Sequence, residues 1–515
     1  MHQHSRVTFV LLAALLLPCA AKAAGSCSDL LKFSAPGTTI SKAGDMAATT
    51  IPAPLGAPPI PLHAPAHCRV EGIIGAHKGP DSKSYGIRFA VAMPPNWNGR
   101  LLYQGGGGLN GSVQPPLGVT AAGDASALSR GFAVVSSDSG HEGAVFDASF
   151  FADQQATLDF LYQSISKVMA VARPLIAAHY EASIAHSYFV GCSTGGREAM
   201  ISAQRYPNEF DGIVAGAPAM RTNYSNLALR WITASLNSAA PKNAEGHPLT
   251  AQAFSDSDRK LIVDALLSAC DALDGVKDGM IFNSRRCAFD PQVLQCKSAK
   301  TPNCLSPAQV EAIKRGFSGP KTEAGIQVYP GFPYDTGIAY KGPGIPGLLF
   351  GGFVPVGPAP TATQINVDEQ AAVAHDAQEM AGDTNAWTNL TSFAAHGGKL
   401  IFYHGMSDPW FSALDTVGYY EHLSSATAPD SVSGWSRLFL VPGMSHCGGG
   451  QAALDRFDML TAIVDWVEKG QAPDQITATG AAFPGRSRPL CPYPKHAQYR
   501  GTGNSESAAN FSCED

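Results

Sequence analysis

One five-residue run constrains this chain more than any other. Gly191-Cys192-Ser193-Thr194-Gly195 sits between a short β-prone stretch, Ser187-Tyr188-Phe189-Val190, and a stretch of helical character, Gly196 to Arg205. A glycine-flanked serine between a strand and a helix is the pattern of a sharp turn that lifts the hydroxyl above a sheet. The segment that follows, Phe210-Asp211-Gly212-Ile213-Val214-Ala215-Gly216-Ala217-Pro218, has the apolar continuity of the next parallel strand and ends in a loop of small residues. Strand, turn, helix and strand in this order predict an α/β fold around a buried parallel sheet.

A serine hydroxyl is a poor nucleophile at neutral pH unless an imidazole takes its proton, and a carboxylate must orient that imidazole. Two later stretches supply candidates in the order acid, then histidine. The β-rich run Gly398 to His404 leads into Gly405-Met406-Ser407-Asp408-Pro409, which places Asp408 on a turn after a strand. Arg437 to Val441 leads into Pro442-Gly443-Met444-Ser445-His446-Cys447, which places His446 on the corresponding loop. His422 lies in a helix-like stretch and His496 in the tail, so both are poorer bases; Asp415 remains the alternative acid. A tetrahedral intermediate also needs hydrogen-bond donors at its oxyanion. The N–H of Thr194 is one, and the four glycines Gly105 to Gly108, directly after the run Leu101 to Gln104, offer unobstructed N–H groups for the second. Cys192 and Cys447 flank the serine and the histidine, so a bond between them would tie nucleophile to base.

Cys-Ser in the elbow, His-Cys in the histidine loop, the glycine-rich strand exit, Tyr403-His404-Gly405 ahead of Asp408, and Asp211 to Pro218 together resemble the tannase and feruloyl esterase family of α/β-hydrolases. The resemblance runs from about Cys27 to the C-terminus. It implies an α/β-hydrolase core with a large inserted lid domain, Ser193, Asp408 and His446 as triad, and Gly108 and Thr194 as oxyanion donors.

The chain of 515 residues exceeds a typical single domain, which suits a core plus an insertion. Its 36 basic against 42 acidic residues give no support for nucleic-acid binding. Arg6, the apolar stretch Val7 to Leu17 and Ala21-Lys22-Ala23 read as a signal peptide over residues 1–23, too short to span a membrane, so a secreted or periplasmic protein without stable membrane insertion is expected. Removal of that segment takes Cys19 and leaves ten cysteines, an even number in an exported chain. Sequence alone does not settle their pairing. Proximity suggests Cys270 with Cys287, Cys296 with Cys304 and Cys491 with Cys513, leaving Cys27 with Cys68 and Cys192 with Cys447, and the resemblance implies the same set. No two cysteines have the C-x-x-C spacing of a zinc site.

The core divides into 24–218 and 397–515, the latter with an amphipathic helix from Phe457 to Lys469, and 219–396 is expected to be the lid. Residues 342–360, rich in Gly and Pro, read as an irregular loop or a poorly ordered linker. Within the lid, Cys270 to Met280 concentrates three carboxylates and two glycines, which suits a hard cation, with a solvated turn as the alternative. The resemblance implies a structural Ca²⁺ site with Asp271, Asp274 and Asp278 as side-chain ligands and Val276 and Met280 as carbonyl ligands. No organic cofactor is expected.

Lid aromatics, among them Tyr329, Phe332, Tyr334, Tyr340, Phe350, Phe353 and Trp387, are mostly packing residues, whereas His404, Trp410 and Phe411 beside the acid are expected to bind substrate. The expected activity is hydrolysis of a small aromatic carboxylic ester, feruloyl or galloyl, through an acyl-enzyme. Alternatives are a terephthalate or phthalate monoester hydrolase, a peptidase using the same triad, and an inactive binding protein on a hydrolase scaffold. A free carboxylate on the substrate calls for a guanidinium, and from Thr322 to Gly398 the only lysine or arginine is Lys341. Sequence carries no indication of oligomeric state.

Overall fold

The computed structural model describes residues 25–51, 62–80, 82–342, 344–354, 358–427 and 432–515. The expected signal peptide lies outside the described residues. Nine strands form the main sheet: β1 (Thr38–Met46), β2 (His67–Lys78), β3 (Ser84–Met93), β4 (Arg100–Gln104), β5 (Ala133–Ser137), β6 (His186–Cys192), β7 (Gly212–Gly216), β8 (Lys399–Gly405) and β9 (Ser436–Val441). Their spatial order is β1-β2-β3-β5-β4-β6-β7-β8-β9. The first three strands and β5 pair antiparallel. From β5 through β4, β6, β7 and β8 to β9 every pairing is parallel.

Side chains alternate between two cores, as a period of two requires. Leu101, Tyr103, Phe189, Ile213 and Phe402 enter one cluster with Val168 and Leu175 of α1 (Ser164–Tyr180) and Met200 of α2 (Thr194–Arg205). Leu102, Tyr188, Val190, Val214 and Tyr403 enter the other. A sheet buried on both faces reads as continuous apolar runs, which is why its central strands stand out in the sequence.

Between β7 and β8 the chain builds α3 (Thr222–Asn237), α4 (Asp256–Cys270) and α5 (Pro307–Phe317). The last two start with reciprocal capping boxes, Ser255 with Asp258 and Ser306 with Gln309, which satisfy their free N-terminal donors. Leu229, Ile232, Ile262, Leu266, Ile313 and Phe317 pack into a third cluster that also takes in Trp410 and Phe411 from the loop after β8. The insertion is therefore seated on the acid loop by apolar contact. Within 342–360 a single turn, Leu348–Phe350, forms among the described residues; Leu348 and Leu349 are buried in the lid core, so this stretch is packed rather than a loose linker. After β8 come α6 (Ala413–Ala426) and, beyond β9, α7 (Met459–Lys469), whose Leu460, Ile463 and Trp466 cover the second face of the sheet.

All ten described cysteines are bonded, as Cys27–Cys68, Cys192–Cys447, Cys270–Cys287, Cys296–Cys304 and Cys491–Cys513. Among the described residues no helix is long and apolar enough to cross a membrane.

Candidate active site

Ser193 stands between β6 and α2 with φ 64° and ψ −124°, a conformation rarely adopted by a residue with a side chain. Its surroundings hold it there. The Ser193 N–H donates to Gly216 O at 3.0 Å, and Ser193 O accepts from Ala219 N at 3.1 Å. A Cβ on Gly191 would fall 2.4 Å from Gly195 O, and one on Gly195 would fall 2.7 Å from Gly106 O, so both glycines are required by the close approach of three backbones. The helix begins at Thr194, two residues earlier than the apolar pattern suggests. The N–H of Thr194 is thus the first helix donor beside the serine, while that of Gly195 donates to Gly106 O at 3.1 Å.

The loops after β4, β6, β8 and β9 leave the sheet at one edge because these strands are parallel. That edge collects the predicted residues. His446 Nδ1 lies 2.7 Å from Asp408 Oδ2, and Asp408 Oδ1 accepts the N–H groups of Trp410 at 2.8 Å and Phe411 at 3.0 Å. Burial pushes the Asp408 carboxyl up, but the charge and hydrogen bond of His446 and the hydrogen bond of His404 outweigh it and hold it well below the usual carboxylate range. His446 Nε2, on the far side of the ring, is buried and has no hydrogen-bond partner among the described residues. The Cα atoms of Cys192 and Cys447 are 6.0 Å apart, and a single peptide step on each side, about 3.8 Å, leads to Ser193 and His446.

Two expectations are corrected or resolved by packing. His404 was expected to bind substrate, but its side chain is wholly buried: Nδ1 lies 2.8 Å from Thr416 Oγ1, and Nε2 lies 3.0 Å from Phe411 O and 3.3 Å from Asp408 Oδ2. It is a support of the acid, on the strand rather than on the loop beyond it. Asp415, the alternative acid, is engaged by Arg221, whose Nε lies 3.1 Å from Asp415 Oδ1.

Along the glycine run, Gly105 N–H donates to Val190 O at 3.0 Å and Gly106 N–H to Glu198 Oε2 at 2.8 Å. The donors open to a ligand are then to be sought at Gly107 and Gly108. Gly108 has φ 59°, and a Cβ there would fall 2.6 Å from Val145 Cγ2. Its carbonyl accepts the hydroxyl of Thr194, which joins the two expected oxyanion residues. Beside them stands an aromatic wall. Trp410 and Phe411 stack at 5.1 Å and lie 5.4 and 5.3 Å from the His446 ring; Phe146 and Phe353 lie 5.7 and 5.1 Å from Trp410. Of the lid aromatics, Tyr329 and Phe332 are buried packing residues and Trp387 is exposed, away from this cluster.

A family model described as tannase and feruloyl esterase matches residues 68–344 and 362–514. The chain belongs to the tannase and feruloyl esterase family. It is 41% identical, over 87% of its length and 85% of the relative's, to a mono(2-hydroxyethyl) terephthalate hydrolase of Piscinibacter sakaiensis. A probable feruloyl esterase B-2 of Aspergillus terreus is 32% identical, with 84% of each chain covered. The crystal structure of feruloyl esterase B from Aspergillus oryzae superposes with a TM-score of 0.75 at 26% identity, covering 95% of this chain and 99% of that one. The protein is a carboxylic ester hydrolase of this family, with the α/β-hydrolase fold.

Sequence reading missed three features of this tannase-family esterase. Phe146 reaches the wall from the loop after β5, with no motif around it. Asp335, buried in the lid, accepts Ser407 Oγ at 2.6 Å and Gly443 N–H at 2.7 Å, and so bridges the acid and histidine loops; burial raises its pKa. Glu198, five residues after the nucleophile, looked like an ordinary helix position.

In the lid loop Asp271 and Asp274 are buried, and Asp278 is half-buried with its carboxylate covered. Asp271 accepts the N–H groups of Asp278 and Gly279, at 3.0 and 3.1 Å, and Asp278 pairs with Arg488. Burial and the neighbouring Asp278 and Asp271 push the Asp274 carboxyl up to about 7. Among the described residues no three histidine, cysteine or carboxylate side chains stand together as a ready coordination shell. The chemistry of the donor set, three carboxylates within eight residues, nonetheless fits a hard cation.

Proposed function

We propose that this protein is an exported serine esterase that hydrolyses aromatic carboxylic esters of the feruloyl or galloyl type through an acyl-enzyme. The observation that carries this reading is the Asp408–His446 hydrogen bond held beside a strained Ser193 by the Cys192–Cys447 bond. In the proposed cycle His446 Nε2 takes the Ser193 proton as the oxygen attacks the ester carbonyl, and the N–H groups of Thr194 and Gly108 bind the oxyanion. His446 then returns the proton to the leaving alcohol, and water repeats the sequence to release the acid. Asp408 keeps the imidazole in the Nδ1-protonated form and stabilises its cation. Trp410, Phe411, Phe146 and Phe353 supply a flat apolar surface for an aromatic ring.

A second reading, a terephthalate or phthalate monoester hydrolase, rests on the 41% identical relative. Against it stands the stretch from Thr322 to Gly398, whose only lysine or arginine, Lys341, lies 6.0 Å above the Phe350 ring. Export is supported by the five disulfides and the N-terminal apolar stretch. We further propose structural calcium in the loop Asp271–Met280, held by Asp271, Asp274 and Asp278 with the carbonyls of Val276 and Met280; it would neutralise the carboxylates and take no part in the ester chemistry.

The test is a parallel assay of methyl ferulate, methyl gallate, a terephthalate monoester and its methyl diester. Turnover of the first two, with the diester cleaved as well as the monoester, is expected. A strong preference for the monoester would establish the second reading, and failure of a serine-directed phosphonate to label Ser193 would overturn both.

A further inference from the structure

Glu198 is a buried carboxylate that the cycle above does not use. It sits on α2, 3% exposed, and every hydrogen bond it accepts from another segment comes from a loop bordering the active site. Gly106 N–H donates to Oε2 at 2.8 Å, Asn110 Nδ2 to Oε1 at 2.7 Å, and Ser139 Oγ to Oε1 at 3.1 Å. Gly106 and Asn110 belong to the loop after β4, Ser139 to the loop after β5. Among the described residues no lysine or arginine forms an ion pair with it. Its chain neighbour Arg197 is spent on Leu161 O at 2.9 Å and Phe160 O at 3.1 Å. An unpaired charge in such a place is costly, and three charge-assisted hydrogen bonds offset that cost only if all three donors stay aimed at it.

The backbone shows what the carboxylate holds. Asn110 and Ser139 are both non-glycine residues at positive φ, 55° and 64°, and both give their side chains to Glu198. Strained residues persist where their surroundings over-determine them. Gly106 leaves no room to adjust: a Cβ there would fall 2.0 Å from Asn110 Oδ1, while Gly106 O accepts from Gly195 N at 3.1 Å. The glycine loop is thus hung between the elbow and one side chain of the elbow's own helix.

We propose that Glu198 is a positioning residue that fixes the glycine loop, and with it the Gly108 oxyanion donor, relative to Ser193. The assignment rests on the esterase reading above. Glu198 does not touch substrate; it acts through Gly106 and Asn110. An amide in its place turns an N–H₂ toward one of three donors, so a neutral isostere cannot satisfy the cradle.

The experiment compares wild type, Glu198→Gln and Asn110→Gly for kcat and KM on methyl ferulate, and for affinity toward a benzeneboronic acid, whose serine adduct mimics the tetrahedral intermediate. Loss of an oxyanion donor costs about 10²-fold or more in kcat. Glu198→Gln should therefore lower kcat about 10²-fold with KM within about twofold, and weaken the boronate by a similar factor. Asn110→Gly, which relieves the positive φ while removing one donor, should show the same pattern at about tenfold. A folded Glu198→Gln enzyme with wild-type kcat, or a loss carried by KM with boronate affinity unchanged, overturns the assignment. Should Glu198→Gln fail to fold, a wild-type Asn110→Gly enzyme overturns it equally. A wild type inactive on every ester would instead refute the functional reading, before any substitution is compared.

Discussion

Asp408 and Asp415 belong to the same strand-loop-helix unit and are both buried, yet their partners separate their chemistry. Asp408 faces an imidazole and two backbone N–H groups; Asp415 faces a guanidinium. With its pKa depressed, Asp408 stays ionised as pH falls toward the acid range, and whatever stability its charge contributes is lost only below the usual carboxylate pKa. Asp408→Asn should reduce kcat by about 10⁴-fold through the wrong imidazole tautomer, with the fold intact. Asp415→Asn should leave turnover within a few-fold and lower stability by about 3 kcal/mol, because Arg221 loses its buried partner. Turnover and thermal melts of the two variants check this, and the reverse pattern would exchange their roles. The sequence separates them only by position: Asp408 ends a strand-to-turn transition, whereas Asp415 falls at a helix start. His404 shows where that reasoning stops, since strand alternation turns its side chain into protein, a fact carried by long-range packing and not by the neighbouring residues.

Elements were more legible than contacts. β6, β7, β8 and β9 stand out because a strand covered on both faces is an unbroken apolar run, whereas α4 and α5 went unread although Ser-x-x-Asp and Ser-x-x-Gln mark their starts. The helix after Ser193 starts earlier than its apolar pattern because the elbow glycines, which depress helix propensity, are required there by backbone contacts. Phe146 and Asp335 left no local trace, as their partners lie far away in sequence. At this scale the Cys192–Cys447 bond joins the elbow to the histidine loop. Changing both cysteines to Ala should lower kcat by about 10²-fold, the size of loss that displacement of a catalytic group by about 1 Å produces, while KM changes little. Steady-state kinetics of the double variant decide it; unaltered kcat would leave the bond a stability device only.

Across the whole molecule, three of the lid's attachments are the shared apolar cluster at Trp410 and Phe411, the Asp335 bridge, and the loop Asp271–Met280 packed against the C-terminal segment through Arg488 and Asp278. The third is where the proposed calcium acts. Chelation should lower Tm by on the order of 5 °C, the effect of losing a ligand held well above its Kd, and leave kcat within a few-fold when assayed well below Tm. A melt in excess EDTA that overlays the calcium-loaded one, with no metal found in the purified protein, would remove the site.

The sulfur link between residues 192 and 447 has a topological corollary. It closes the intervening polypeptide into a covalent ring, and the whole insertion lies on that ring. A protease that nicks the insertion once opens the circle without releasing either half, so hydroxyl and imidazole remain on one connected molecule after scission.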